Sequence, residues 1–108
     1  MDKVLKEIDF KDGGLIPVVV QDINTKDILM LAYANKEAVE NTIKSGRAWF
    51  WSRSRNKLWM KGEESGNFQQ VKKIMVDCDS DALVYLVEPA GPACHTGNRT
   101  CFHNELRT

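Results

Sequence analysis

The residues of this chain best suited to chemistry stand together at Asp77-Cys78-Asp79-Ser80-Asp81. Three carboxylates at alternate positions, with a thiol between the first two, make a poor core strand and a good metal site. Hard divalent cations such as Mg²⁺ take carboxylate oxygens, whereas thiolate selects zinc or another soft metal. In an extended segment, residues two apart share a face. Asp77, Asp79 and Asp81 would then point one way and Cys78 the other, so that one backbone serves two different ions. Downstream, Cys94 and Cys101 are the only other cysteines, and His95 and His103 are the only histidines. One zinc site assembled from Cys78, Cys94 and Cys101 is the natural expectation.

The spacing leaves the form of that site open. Cys94-x₆-Cys101 is not the C-x₂-C knuckle of common structural zinc sites. Three thiolates leave a fourth tetrahedral position, which a catalytic zinc uses for a water whose pKa falls to about 7. A closed Cys₃His site using His95 or His103 fits the same spacing, and buried cysteines without metal are a third arrangement. In the open arrangement His95, next to Cys94, would shuttle a proton; in the others it is a supporting or simply exposed histidine. The positions Asp77, Asp79, Asp81 and Glu88 also imitate a calcium-loop spacing. The glycine needed for the sharp turn of such a loop is Ala82 here, and its interior would be the apolar run Leu83 to Val87. That run reads as a buried strand, and a calcium loop is excluded.

A second group of residues suits anions. Ser52-Arg53-Ser54-Arg55, with Lys61 and the turn Ser65-Gly66-Asn67, offers guanidinium forks, hydroxyls and backbone N–H groups that match phosphate oxygens. A solvated hairpin of alternating charge is the alternative reading of the same residues. Trp49, Trp51 and Trp59 are read as core or interface residues rather than as a platform for stacked bases.

The elements that must position these groups follow from pattern. Leu15 to Ile23 reads as a strand, Asn24 to Asp27 as a hairpin turn and Ile28 to Tyr33 as the partner strand. Asn35 is placed as the N-cap of a helix running to about Ser45, with Gly46 just past its end. Ala38, Val39, Thr42 and Ile43 are spaced for its buried face. Val4, Leu5 and Ile8 share one short helical stripe, and Lys11 to Gly14 is a turn signal. Ala48 to Trp51 reads as strand-like, Leu58 to Lys61 follows it, and further strands are expected at Gln70 to Asp77 and Ala82 to Glu88, with the aspartate stretch between the last two. The pattern is α+β, β-rich, with one helix.

Composition sets the outer bounds. A chain of 108 residues with 43% hydrophobic residues is expected to form a single domain, residues 1–108. A domain of this size buries only somewhat more than roughly 60% of its unfolded surface, so a metal or a second subunit would help it. Fifteen basic and fifteen acidic residues give zero formal net charge, which argues against nucleic-acid or membrane-surface binding. No signal-like or membrane-spanning apolar run is present, and three cysteines cannot all pair, so a cytoplasmic protein with reduced thiols is expected.

Taken together, these motifs resemble one family, the phosphoribosyl-AMP cyclohydrolases of histidine biosynthesis. The resemblance rests on Tyr33-Ala34-Asn35-Lys36-Glu37-Ala38, Trp51 to Arg55, Leu58 to Glu63, Ser65-Gly66-Asn67, Asp77 to Asp81, and Cys94-His95-Thr96-Gly97 through Cys101-Phe102. It implies a buckled mixed β-sheet with one or two helices and an intertwined homodimer. It also implies zinc on Cys78, Cys94 and Cys101, magnesium on Asp77, Asp79 and Asp81, and a small-molecule nucleotide substrate. The implied reaction adds water at C6 of the adenine ring of N1-(5-phosphoribosyl)-AMP and breaks the N1–C6 bond. A zinc site shared between chains fits this picture, because the strand from Leu83 to Val87 carries the Cys94–Cys101 loop roughly 17 Å from its own Cys78. The rival zinc nucleobase deaminases need an H-x-E…P-C-x-x-C signature, which is absent.

Overall fold

The computed structural model of the chain describes residues 5–10 and 13–106. Among these lie six strands and one helix: β1 (Ile16–Asp22), β2 (Ile28–Ala34), α1 (Lys36–Ser45), β3 (Trp49–Ser52), β4 (Lys57–Met60), β5 (Gln69–Val76) and β6 (Leu83–Pro89). Four strands form one sheet in the order β2-β1-β6-β5. The β1–β2 and β5–β6 pairs are antiparallel and the central β1–β6 pair is parallel, so the sheet is mixed, as the family resemblance implied. β3 and β4 form a separate antiparallel hairpin. Every strand expected from pattern is present within a few residues of its expected position.

Alternation along the central strands sets the core. Ile16, Val18, Val20 and Asp22 of β1 are buried and their neighbours are not, and Leu83, Tyr85 and Val87 of β6 repeat the pattern. The hairpin closes this face: the Phe50 ring lies 5.1 Å from Trp59 and 5.8 Å from Tyr85, centroid to centroid. Fully burying side chains of this size contributes about 1.5–3 kcal/mol each. Leu5 is buried in the same core and Ile8 packs against it. Val4, Lys11 and Asp12 lie outside the described residues.

The helix follows its local signals. Asn35 accepts a hydrogen bond from the Ala38 N–H at 2.9 Å, and Gly46, at φ 76°, returns its N–H to the Thr42 carbonyl. Only glycine adopts that left-handed φ without a steric cost. Ala38, Val39 and Thr42 are buried as expected. Ile43 instead stays 38% exposed. Thr42 explains why a polar residue belongs on the buried face. Its hydroxyl donates to the Ala38 carbonyl at 2.9 Å and accepts from the Trp49 N–H at 3.0 Å, which ties α1 to β3.

Candidate active site

The aspartate stretch is a turn between β5 and β6, not an extended segment. The Ser80 N–H donates to the Asp77 carbonyl at 3.1 Å, and Ser80 takes a left-handed φ of 65°. One carboxylate oxygen of Asp77 accepts from the N–H groups of Asp81 at 2.9 Å and Ala82 at 3.1 Å. The turn therefore gathers the three carboxylates by folding the backbone, where alternation had been expected to do so. Ligand oxygens of Asp77, Asp79 and Asp81 all lie within 4.8 Å of one another. Partial desolvation pushes Asp77 up, yet the Asp81 and Ala82 amides and the neighbouring carboxyls hold it below its ordinary value. Asp81 moves the other way, raised first by its hydrogen bond with Asp79 and then by desolvation and the nearby negative charge. Sharing protons among clustered carboxyls is the usual response to unneutralised negative charge. A divalent cation relieves it.

The two later cysteines sit at the opposite end of β6. Ala93 and Cys94 donate backbone hydrogen bonds to the carbonyls of Arg99 and Asn98, both at 3.1 Å, closing a loop that turns at Gly97. Inside it the Thr96 hydroxyl donates to Cys94 Sγ at 3.1 Å, and Asn98 Nδ2 donates to Thr96 Oγ1 at 2.8 Å. His103 Nε2 lies 3.9 Å from Cys94 Sγ. Hydrogen bonds from the Thr96 hydroxyl and amide, opposed by desolvation and aided by His103 and Cys101, pull the Cys94 thiol down to about 6. Cys101 is pushed up by desolvation and by the Cys94 charge beside it, with the Lys61 cation acting against both. A thiol held as thiolate beside a second thiol is the donor chemistry zinc requires.

Cys78 does not join them within one chain. Among the described residues, Asp77, Asp79 and Asp81 form the one group of three histidine, cysteine or acidic side chains with ligand atoms this close. Six residue steps of β6, about 3.3 Å each, put the two ends of the strand about 20 Å apart. The site residues thus fall into two halves. The carboxylates and exposed Cys78 occupy one end of the sheet, and Cys94, Cys101, His103 and Lys61 the other. His95 is exposed and makes no hydrogen bond or ion pair among the described residues.

The anion-suited residues also divide. Ser52, Arg53, Ser54 and Arg55 form the tip of the β3–β4 hairpin, where the Arg55 N–H donates to Ser52 Oγ at 3.2 Å and the two serine hydroxyls lie 3.3 Å apart. Lys61 is at the hairpin's root, its N–H bonded to the Ala48 carbonyl. Ser65-Gly66-Asn67 follows as a tight turn in which the Gly66 N–H meets the Gly62 carbonyl at 2.8 Å. Asn67 packs so closely on Gly91 that a Cβ there would lie 2.3 Å from its Oδ1. The turn is thereby seated against the segment leading into the cysteine loop.

Arg99 was missed by sequence reasoning, and it anchors that loop. Its guanidinium donates to Asp22 at 2.6 Å, to Asp27 at 2.5 Å and to Thr25 at 2.9 Å. Thr100 and Cys101 add bonds to the Ile28 and Leu29 carbonyls at 2.6 and 2.7 Å. Burial pushes the Asp22 carboxyl up, but the Thr25 and Asn24 amides and the Arg99 charge outweigh it and hold the group below its ordinary value. A lowered folded-state pKa means this stabilisation is present above the unfolded value of 3.8 and is lost as pH falls below it. Arg99→Ala is expected to cost about 1–3 kcal/mol at neutral pH, since it strands a buried carboxylate while Arg99 itself is half exposed. Urea titrations at several pH values check this: the gap between variant and wild type should close as pH drops below about 3.8.

A mixed sheet with paired thiols at one end and clustered carboxylates at the other defines a small α+β protein carrying donor sets for a soft and a hard metal. Comparison with known proteins specifies the class further. The family model described as phosphoribosyl-AMP cyclohydrolase matches residues 30–103. The phosphoribosyl-AMP cyclohydrolase of Nitrosopumilus maritimus (strain SCM1) is 68% identical over 108 residues, covering 99% of this chain and all of that protein. That of Archaeoglobus fulgidus is 61% identical over 100 residues, 93% of either chain, and one from Clostridium botulinum is 57% identical over 107 residues, 98% of this chain and 97% of that one. The chain belongs to the phosphoribosyl-AMP cyclohydrolase family, and by that membership it is an enzyme.

Proposed function

We propose that this chain opens the adenine ring of N1-(5-phosphoribosyl)-AMP, adding water at C6 and breaking the N1–C6 bond, as a zinc- and magnesium-dependent homodimer of histidine biosynthesis. The observation that carries the reading is the division of the donor set along β6, in a chain of this family. Paired thiols lie at one end of the strand, and a third thiol with three carboxylates lies at the other. Cys94 and Cys101 supply two of the three thiols of a soft-metal site, and Cys78 of the partner subunit would supply the third. Asp77, Asp79 and Asp81 would hold magnesium. Bound zinc supplies an activated water at neutral pH, and magnesium neutralises substrate phosphate while keeping several of its own waters.

The uncovered face of the sheet supports the dimer. Leu31, Val19, Val84 and Met75 are register partners in one row across all four strands, on the face opposite the core. Leu31 and Met75 are 46% and 51% exposed. A two-fold axis across the strands of this face reverses strand direction, and so turns the aspartate end of one sheet toward the cysteine end of the partner's. A site built of reduced thiols suits the cytoplasm, where thiols are kept reduced. No helix among the described residues is long and apolar enough to cross a membrane.

The chain's own groups divide the remaining work. The hairpin tip from Ser52 to Arg55, Lys61 and the Ser65–Asn67 turn hold the substrate's two phosphate groups. His95, exposed next to Cys94, moves a proton during ring opening, a role that suits an imidazole. His95→Ala should lower kcat by roughly 10²–10⁴ while zinc is retained. His103→Ala should cost much less, its ring being engaged with Cys94 Sγ. The reverse ranking would transfer the role to His103. The activity itself is tested by incubating the purified protein with N1-(5-phosphoribosyl)-AMP and Mg²⁺ and following the ultraviolet change on ring opening. No change in a zinc-loaded preparation would overturn the reading.

A further inference from the structure

Arg53 does not hang free from the hairpin tip. Its Cζ lies 4.1 Å over the centroid of the Tyr33 ring, which belongs to β2. Tyr33 stands in register with Pro17 of β1, so the ring is carried by a paired strand, and Asn35 caps α1 two residues on. The stack therefore joins a long side chain on an exposed turn to a ring carried by a paired strand of the main sheet. Both residues line an open recess of about 590 Å³ whose other walls include Trp51, Trp59 and the Ser52 and Ser54 hydroxyls.

The geometry of a guanidinium makes this arrangement informative. Its five N–H donors lie in its plane, whereas an aromatic partner occupies its face. Stacking on Tyr33 thus fixes the fork without consuming a donor. Trp51 and Trp59 give the recess apolar walls beside the fork. Among the described residues Arg53 has no carboxylate partner, although the chain carries as many acidic as basic residues. A positively charged fork held in place with its donors unspent suits an anion that presents two oxygens side by side, such as a phosphate monoester.

We propose that Tyr33 is a positioning residue, holding the Arg53 guanidinium over the Trp51–Trp59 recess to receive a phosphate of the nucleotide substrate. This rests on the substrate reading above and deepens it. Tyr33 touches no phosphate itself; it acts by removing the freedom Arg53 would otherwise lose on binding. The ring face is what matters, so the phenol hydroxyl is dispensable.

Steady-state kinetics on N1-(5-phosphoribosyl)-AMP with Tyr33→Leu, Tyr33→Phe, Arg53→Ala and the Tyr33→Leu/Arg53→Ala double variant test the proposal. Tyr33→Leu should raise KM by roughly three- to thirty-fold with little change in kcat, the range expected for a cation–π contact between exposed and desolvated limits. Tyr33→Phe should behave as wild type. Arg53→Ala should lower kcat/KM by roughly 10- to 100-fold, and the double variant should be no worse than Arg53→Ala alone. A nuclear magnetic resonance readout stands apart from activity: the Arg53 Nε–H should carry an upfield ring-current shift in wild type and Tyr33→Phe, and lose it in Tyr33→Leu. Wild-type KM in Tyr33→Leu beside an impaired Arg53→Ala overturns the positioning role and leaves the phosphate reading standing. Wild-type kinetics in Arg53→Ala overturns both. Additive losses in the double variant, or a Tyr33→Phe as impaired as Tyr33→Leu, also overturn the proposal. If Tyr33→Leu does not fold, Tyr33→Met provides the same comparison with an unbranched side chain that lacks the ring.

Discussion

Serine at Cys94 or at Cys101 is expected to remove both the bound zinc and the turnover. Purified wild type should hold about one tightly bound zinc per chain if the three thiols form one tetrahedral site with an open position. The hydroxyl of serine is nearly isosteric with the thiol but does not ionise near neutrality, so it offers no soft anion. The local structure sharpens the expectation for Cys94, whose thiol is drawn down to about 6, first by hydrogen bonding from Thr96. A serine there would keep the Thr96 contact and lose the thiolate. Metal affinity should fall by well over the roughly 10–100-fold that loss of an outer hydrogen-bond partner costs. Elemental analysis after gel filtration, with activity measured on the same fractions, checks it. Circular dichroism separates metal loss from unfolding, because a small metalloprotein can lose its structure along with its ion. A serine variant that keeps full turnover without zinc would sink the assignment.

Much of the fold could be read because local signals and burial agreed. β1 and β6 alternate buried and half-exposed residues along their whole length, which is what a period-2 pattern predicts. Asn35 and Gly46 bound the helix with side-chain and backbone hydrogen bonds that depend only on near neighbours. Ile43 departs from the pattern because the described elements do not cover that edge of α1. The separation of the β3–β4 hairpin from the main sheet was not legible. Which strands pair across large sequence gaps is decided by packing, here Phe50 against Tyr85, and no periodicity in either strand encodes it.

The candidate site was legible in residue type and less so in geometry. Asp77, Asp79 and Asp81 were expected together from alternation and are together because of a turn, with Ser80 in a left-handed conformation. Serine at that position gave no glycine-like signal. His95 and His103 were weighed equally beside the cysteines, and it is the His103 Nε2 that lies beside Cys94. Arg99 contacts Asp22 across 77 positions, and such a pair cannot be read from local spacing. Tyr33 was read only as the last residue of its strand and as part of the motif that carries the family resemblance. Only the hairpin's return over β2 brings Arg53 onto its face.

The second large effect is a recovery of function from two inactive proteins. Cys78→Ser and Cys101→Ser chains should each be inactive alone, since either lesion breaks every site. In a dimer whose zinc sites take Cys94 and Cys101 from one chain and Cys78 from the other, a mixed dimer holds one site with both lesions and one with neither. Random assortment makes half the dimers mixed, and each of those has one intact site of two, so the mixture should regain about one quarter of wild-type specific activity. Two differently tagged chains, co-expressed and purified through both tags, isolate the mixed species, for which about one half is expected. Zinc content should follow activity, at about one ion per mixed dimer. The geometry makes the outcome a sharp one. Cys78 and the Cys94–Cys101 loop lie at opposite ends of a β6 strand about 20 Å long, and a continuous paired strand cannot fold back to close that gap. Mixed dimers that form and stay inactive would mean that each zinc belongs to a single chain, with the aspartate turn swung far from where it now stands.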